Sequence, residues 1–78
     1  MSDYSKNIKD RVDFVCSCLI DVGIEVGRNI PSERDLVVIT GFSRPKLREV
    51  FAVLDYIGVT DSSHGKARVL KADLNKVV

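Results

Sequence analysis

The sequence has no apolar stretch that could span a bilayer. Its longest strictly aliphatic run is the four residues 36–39, whereas a membrane-spanning helix needs about 20 apolar residues. The N-terminal segment 1–11 is charged throughout and lacks the apolar block of a signal peptide. These two absences predict a protein that is not associated with a membrane, and a cytoplasmic location is expected.

Residues that carry enzyme chemistry are scarce. The chain has one histidine and two cysteines, and it shows no metal-ligand spacing, glycine-rich phosphate loop or nucleophile beside a base. Cys16 and Cys18 fall on a predicted helix, where side chains two residues apart point about 200° from each other. They can therefore neither form a disulfide nor share an ion, and we expect small apolar fillers, with a surface thiol at one of them as the alternative. The sequence predicts no enzyme, no metal and no cofactor.

The net charge of the chain is also small, and the charged residues are unevenly distributed. The net charge of the 78 residues is +1, which argues weakly against a nucleic-acid binder. Residues 1–27 hold three lysines and arginines against five acids, whereas residues 28–71 hold eight against five. The positive charge therefore lies in the middle and later part of the chain, where a polyanion would bind.

Apolar residues recur at helical spacing in three segments. The first predicts an amphipathic helix from about residue 5 to residue 22, with these residues facing inward: Ile8, Val12, Val15, Leu19 and Val22. Ser32, a preferred N-cap, predicts a second helix to about Thr40, with Leu36 and Ile39 inward. Ser43 caps a third helix to about residue 57, before Gly58, with these inward positions: Leu47, Val50, Phe51, Leu54 and Ile57.

After Gly58 the pattern becomes β-prone. Two short alternating segments flank turn residues, which predicts a hairpin with strands near 59–62 and 66–71. Three helices, the last two joined by a glycine-containing turn, and then a hairpin describe a winged helix-turn-helix, a mainly α fold in the order α-α-α-β-β. At this length we expect a single domain over residues 1–78, with residues 72–78 as the start of a linker or tail.

Two predicted helices carry arginine in their first turn. Arg34 and Arg44 lie where the helix macrodipole disfavours a cation by about 0.3–1 kcal/mol, which is tolerable if a polyanion binds at those termini. Arg44 and Arg48, four residues apart, share an exposed stripe of the third helix. Their forked donors suit guanine O6 and N7 in a major groove. The alternative for Arg34 is an ordinary surface ion pair, worth about 0–1 kcal/mol.

Other polar residues surround this stripe. Lys46 and Lys66 are candidate phosphate contacts, and the Ser43 hydroxyl serves as a cap or as a phosphate donor. His64 and Gly65 form a predicted hairpin tip slim enough for a minor groove, with a solvated turn as the alternative. Glu49 is expected to orient a neighbouring arginine.

Three segments together resemble the DNA-binding domain of the GntR family of bacterial transcription regulators: I-P-S-E-R-D-L, G-F-S-R-P-K-L-R-E-V-F and L-D-Y-I-G-V. The resemblance covers roughly residues 4–71, and the wing D-S-S-H-G-K is similar to that of the fatty-acid-responsive FadR branch. It implies minor-groove contacts by His64 and Gly65, an apolar groove contact by Pro45, and further DNA contacts by Arg34, Ser43, Arg44 and Arg48.

The chain departs from that family in three places. Residues 66–68 replace a second glycine and an aromatic residue in the wing. Thr40 and Phe42 stand where smaller or aliphatic residues are usual, which predicts local repacking. The family's C-terminal domain, which binds an effector and usually dimerises, is absent from the sequence, so we expect either an excised domain or a stand-alone small protein.

The expected function is sequence-specific binding of double-stranded DNA by a transcription regulator. We expect a repressor that occupies one operator half-site per chain, and a homodimer would double the contacts on a two-fold site. The alternative is a winged helix that binds another protein, through an apolar patch around Tyr4, Phe14 or Tyr56.

Overall fold

A computed structural model describes residues 7–62 and 67–76. The described part is mainly helical, with α1 (Ile8–Asp21), α2 (Glu33–Thr40) and α3 (Arg44–Tyr56). Two antiparallel strands follow, β1 (Thr60–Asp61) and β2 (Val69–Leu70), and then a 3₁₀ turn, Leu74–Lys76. The three predicted helices and the two-stranded sheet that follows them are confirmed.

Side-chain caps set where the helices begin. The Oγ atoms of Ser32 and Ser43 accept hydrogen bonds from backbone N–H groups three residues later, at 3.2 and 3.4 Å, so α2 and α3 begin at the predicted serines. The Asn7 side chain caps α1 in the same way at 3.0 Å. Helix α1 therefore begins at residue 8 and not near residue 5. Gly58 follows α3 with a φ of 84°, a left-handed conformation that suits its predicted place.

One apolar core lies where the three helices meet the sheet. Helix α3 packs against both α1 and α2, and β1 packs against α3. The core side chains are at most 8% exposed and comprise Val12, Val15, Cys16, Leu19, Ile30, Leu36, Leu47, Val50, Phe51, Leu54, Val59, Leu70 and Leu74. Burial of this apolar surface is the main stabilising contribution to a domain of this size.

The predicted inward positions are wrong at helix ends. Val22 and Ile57 are 47% and 54% exposed, because α1 and α3 end one residue earlier and the chain leaves the helical face. Ile39 is half-buried, whereas its neighbour Thr40 is buried and donates its hydroxyl to the Leu36 carbonyl at 2.7 Å.

The cysteines behave as packing residues. Both thiols are free; Cys16 is fully buried and Cys18 is half-buried. Burial raises the pKa of each thiol, with a smaller contribution from Asp13 at Cys16 and Asp21 at Cys18. Neither sulfur is therefore an activated thiolate. The prediction of an apolar filler is confirmed for Cys16.

Segment 27–30 pairs with the other edge of β2, which the sequence interpretation missed. The Gly27 N–H donates to the Leu70 carbonyl at 2.8 Å, and the Leu70 N–H donates to the Arg28 carbonyl at 2.9 Å. The Ile30 N–H donates to the Arg68 carbonyl at 2.7 Å, and the Asn29–Val69 bridge is antiparallel. Strand β2 thus has neighbours on both sides, and the chain entering α2 is held directly against it.

The longest helix in the described ranges, α1, has 14 residues. None of the helices within 7–62 and 67–76 combines the length and the apolar character needed to cross a membrane.

Leu54 and Ile57 provide a matched test of the core boundary. Leu54 is fully buried and Ile57 is 54% exposed, so Leu54→Ala should cost about 2–5 kcal/mol of unfolding free energy. That is a large share of the roughly 5–15 kcal/mol available to a small domain. Ile57→Ala should cost less than about 1 kcal/mol. Urea denaturation followed by circular dichroism measures both, and equal losses would contradict this description of the core.

Candidate nucleic-acid interface

The structure places six of the nine predicted site residues in the first turn of α2, in the first two turns of α3 or at the cap of α3. These are Arg34, Ser43, Arg44, Pro45, Lys46 and Arg48. The other three, His64, Gly65 and Lys66, lie outside the described residues. The described part of the predicted interface is therefore one continuous corner of the molecule, formed by the starts of two consecutive helices.

A single carboxylate brings two of the arginines together. Glu33, the first residue of α2, accepts a hydrogen bond from Arg44 Nη1 on Oε1 at 2.9 Å. Arg48 binds the same carboxylate with two donors, Nε to Oε2 at 2.9 Å and Nη2 to Oε1 at 3.2 Å. We call these three residues the Glu33 bridge. It fixes both guanidinium groups on the exposed side of α3, at the end nearest α2.

The Glu33 bridge is charged and open to solvent. Its side chains are 31% exposed for Glu33, 52% for Arg44 and 69% for Arg48. Hydrogen bonds from Arg48 and then Arg44 lower the pKa of Glu33, and the same bond raises the pKa of Arg48. Two arginines against one carboxylate give the trio a formal charge of +1.

Glu49 was expected to orient a neighbouring arginine, and it does bind one, but not on the predicted stripe. Arg11 of α1 donates from Nη1 to Glu49 Oε1 at 2.5 Å, so Glu49 links α3 to α1. The carboxylate that orients Arg44 and Arg48 is Glu33. Its position as the first residue of α2 indicates only a helix-dipole role, because its contact with α3 depends on how the two helices cross.

Arg34 is exposed in the first turn of α2. Across 7–62 and 67–76, the ion pairs of the structure do not include Arg34. The surface ion pair considered as its alternative role is therefore not formed within these ranges. Arg34 differs in this respect from Arg44 and Arg48, which already bind a carboxylate.

Three residues at the start of α3 have separate tasks. The Ser43 oxygen accepts the Lys46 N–H as a cap, which leaves its hydroxyl hydrogen available for a phosphate. Pro45 is exposed in the first turn, where its missing N–H costs no helical hydrogen bond. Lys46 Nζ lies 5.5 Å from the centre of the Phe42 ring, a cation–π contact.

Phe42 contributes to a small aromatic surface. Its ring lies 5.3 Å from that of Phe14 on α1, centroid to centroid, and the Phe14 side chain is 46% exposed. The two rings line a shallow groove of about 450 Å³ together with Lys46. The turn between α2 and α3 therefore contacts α1 through a partly exposed aromatic pair.

A second carboxylate, Asp55, joins the other end of α3 to the sheet. Arg68 donates to it twice, from Nε to Oδ1 and from Nη2 to Oδ2, both at 3.1 Å. Thr60 donates to Oδ1 at 2.5 Å and Ser62 to Oδ2 at 3.3 Å. The guanidinium of Arg68 also lies over the Phe51 ring at 4.9 Å. We call these four polar residues the Asp55 cluster; the sequence interpretation had no signal for it.

Between the Glu33 bridge and the Asp55 cluster lies a groove of about 650 Å³, bounded by α2, α3 and segment 67–68. Its charged residues are already paired as Arg48 with Glu33 and Arg68 with Asp55. In the described ranges, no group of three histidine, cysteine, aspartate or glutamate side chains is arranged to hold a metal ion. The charged groups of this groove therefore form two carboxylate–guanidinium pairs.

Comparisons with protein-family models, with curated proteins and with solved structures give no match to this chain. Its function is accordingly inferred from its own residues and geometry.

The Asp55 cluster makes stability depend on pH on the acidic side. Burial alone would raise the pKa of Asp55, but the hydrogen bonds from Arg68, Thr60 and Ser62 and the charge of Arg68 lower it overall. Its contribution is therefore complete above the unfolded carboxyl pKa of about 3.9 and is lost as the pH falls through the lower folded value.

We expect Asp55→Asn to lower the unfolding free energy at pH 7 by about 1–3 kcal/mol, because the charged acceptor of four donors is lost. The difference from wild type should shrink as the pH falls below about 4. Thermal unfolding between about pH 2.5 and pH 7 measures this difference. Asp35→Asn is the control, because Asp35 is an exposed carboxylate at the start of α2. A difference that stays constant over this range would contradict the assignment.

Proposed function

We propose that this chain is a winged helix-turn-helix domain of the GntR type that binds double-stranded DNA in a sequence-specific manner. The observation that carries the proposal is the Glu33 bridge, which holds Arg44 and Arg48 side by side and exposed at the start of α3. Two oriented guanidiniums on one helix are the donors that guanine edges require.

The architecture supports this proposal. Helices α2 and α3 are separated by three residues, 41–43, with Gly41 at a φ of 76°, a connection typical of a helix-turn-helix. The sheet follows α3 directly, and the Asp55 cluster ties that helix to Thr60 of β1 and to Arg68, the residue before β2. A hairpin held in this way would lie beside the DNA backbone when α3 occupies the major groove, which is the role of a wing.

In the proposed complex the start of α3 enters the major groove. Arg44 and Arg48 contact guanine O6 and N7, and the narrow first turn with Pro45 allows close approach to the bases. Lys46 and the Ser43 hydroxyl contact phosphates on one side, and Arg34 contacts a phosphate from the start of α2. By resemblance, His64 and Gly65 contact the minor groove and Lys66 a phosphate.

In the cell such a domain would occupy an operator and block transcription. One chain covers one half-site, so the affinity of a single domain should be low, and a homodimer on a two-fold operator would double the contacts. By resemblance, effector binding and dimerisation would belong to a further domain of the family.

A second candidate, a protein-interaction module, is favoured by one observation. Phe14 and Phe42 present an aromatic groove beside Lys46, and Tyr56 is 91% exposed. Exposed aromatic residues are common at protein interfaces. This candidate differs from the first in predicting duplex binding that is weak, at about micromolar or above, and independent of sequence.

The proposal is tested by selecting bound duplexes from a random DNA pool. We expect the wild type to enrich a short motif that contains guanines, and Arg44→Ala and Arg48→Ala each to lose about 1–3 kcal/mol of discrimination at one position of that motif. If neither wild type nor variants enrich any sequence, the proposed function is refuted. A motif that is unchanged in both variants would refute the assigned roles.

Lys46→Ala serves as the matched comparison on the same helix turn. Because Lys46 is assigned to phosphate, its loss should weaken binding to all duplexes alike, with a salt dependence reduced by about 0.9 in the slope of log K against log salt. Titrations with the selected duplex and a scrambled duplex over a series of salt concentrations measure this. A loss confined to the selected duplex would show that Lys46 contacts a base.

A further inference from the structure

The Glu33 carboxylate occupies the position that an anionic ligand of the two arginines would take. It accepts three N–H bonds at 2.9–3.2 Å from Arg44 and Arg48. Carboxylate and phosphate oxygens compete for the same forked guanidinium donors. The protein thus carries, within its own candidate interface, a competitor of the DNA backbone.

The donors left free by Glu33 favour a base edge. An arginine has five N–H donors, one on Nε and two on each Nη. Arg48 gives Nε and one Nη2 hydrogen to Glu33, so its outer edge, formed by Nη1 and the remaining Nη2 hydrogen, is available. That outer edge suffices for the paired contact with guanine O6 and N7. Arg48 can therefore bind guanine while it keeps both of its bonds to Glu33.

The charge of the bridge acts in the same direction. Glu33 offsets one of the two positive charges of Arg44 and Arg48, which reduces attraction to phosphates at every position on every duplex. Contacts to base edges depend on hydrogen-bond geometry rather than on net charge, so they are reduced less. Two arginines bound to a fixed carboxylate should therefore give a larger ratio of cognate to non-cognate affinity than two free arginines would.

We propose that Glu33 is a specificity-determining residue, which orients Arg44 and Arg48 toward base edges and suppresses their binding to the backbone of non-cognate DNA. The inference rests on the proposed DNA-binding function and deepens it. Sequence recognition then depends on Glu33 as well as on Arg44 and Arg48.

The test compares Glu33→Gln with Asp35→Asn. Both variants remove one negative charge from the first turn of α2, but only the first touches the arginines. Each is titrated with the selected duplex and with a scrambled duplex of equal length between about 50 and about 300 mM salt, a range over which the Debye length falls from about 14 to about 6 Å. Far-UV circular dichroism and thermal unfolding establish that both variants are folded.

For Glu33→Gln we expect tighter binding to the scrambled duplex. If the released guanidiniums bind one more phosphate, the affinity at about 0.1 M salt should rise about eightfold and the salt slope should steepen by about 0.9. The ratio of selected to scrambled affinity should fall by a similar factor. Asp35→Asn should keep the wild-type ratio. Equal behaviour of the two variants would overturn the proposal, because the effect would then be one of net charge alone.

Two further variants identify the cause. Adding Arg48→Ala to Glu33→Gln should abolish most of the increase in affinity for the scrambled duplex, since that increase comes from the released guanidinium. Glu33→Asp keeps the charge but shortens the side chain, so it should lower the affinity ratio while the salt slope stays near that of the wild type. A full wild-type ratio in Glu33→Asp would overturn the orienting role, and this variant also carries the test if Glu33→Gln does not fold.

Failure of this inference is distinguishable from failure of the proposed function. If the wild type binds selected and scrambled duplexes equally, sequence-specific binding itself is refuted. If the wild type discriminates and Glu33→Gln discriminates equally well, only the role of Glu33 is refuted.

Discussion

The placement of α3 is the constraint on which the rest of the structure depends. Its inner face is buried, with Leu47, Val50 and Leu54 at most 1% exposed, so the helix cannot rotate without opening the core. Each end of its outer face is held by a carboxylate–arginine contact, the Glu33 bridge toward α2 and the Asp55 cluster toward the sheet. The directions of the exposed arginines therefore follow from packing on one side and ion pairs on the other.

Local signals were sufficient to predict the helices. Ser32 and Ser43 at caps, Gly41 and Gly58 after helix ends, and a spacing of three and four between apolar residues act within a few residues of chain. Val22 and Ile57 are exposed although they fit the apolar spacing, because that spacing continues past the residue at which each helix ends. The same reasoning missed the pairing of segment 27–30 with β2, since the turn composition of residues 23–31 conceals a partner about forty residues away.

The candidate site divides in the same way. The sequence identifies the arginines of the site. Arg34 and Arg44 occupy first-turn positions that disfavour cations, and Arg48 lies four residues after Arg44 on the same stripe. Their carboxylate partner is different: Glu33 is an ordinary residue for a helix start, and only the crossing of α2 and α3 brings it to Arg44 and Arg48. Arg68 shows the opposite case, a cation in a predicted wing that is bound by Asp55 and lies over Phe51. Local sequence patterns do not predict ion pairs between residues that are far apart in the chain.

Strand β2 is bonded on both edges, to β1 and to segment 27–30, and this has a consequence for how the chain assembles during synthesis. The Leu70 N–H donates to the Arg28 carbonyl and the Lys71 N–H to the Val59 carbonyl. The first of these closes a loop that contains α2, α3 and β1. Until residues 67–71 leave the ribosome, segment 27–30 lacks its partner strand, and the entropy of closing this loop is lost only when β2 pairs with it. Segment 27–30 therefore finds its partner only after β2 has been synthesised, about forty residues later.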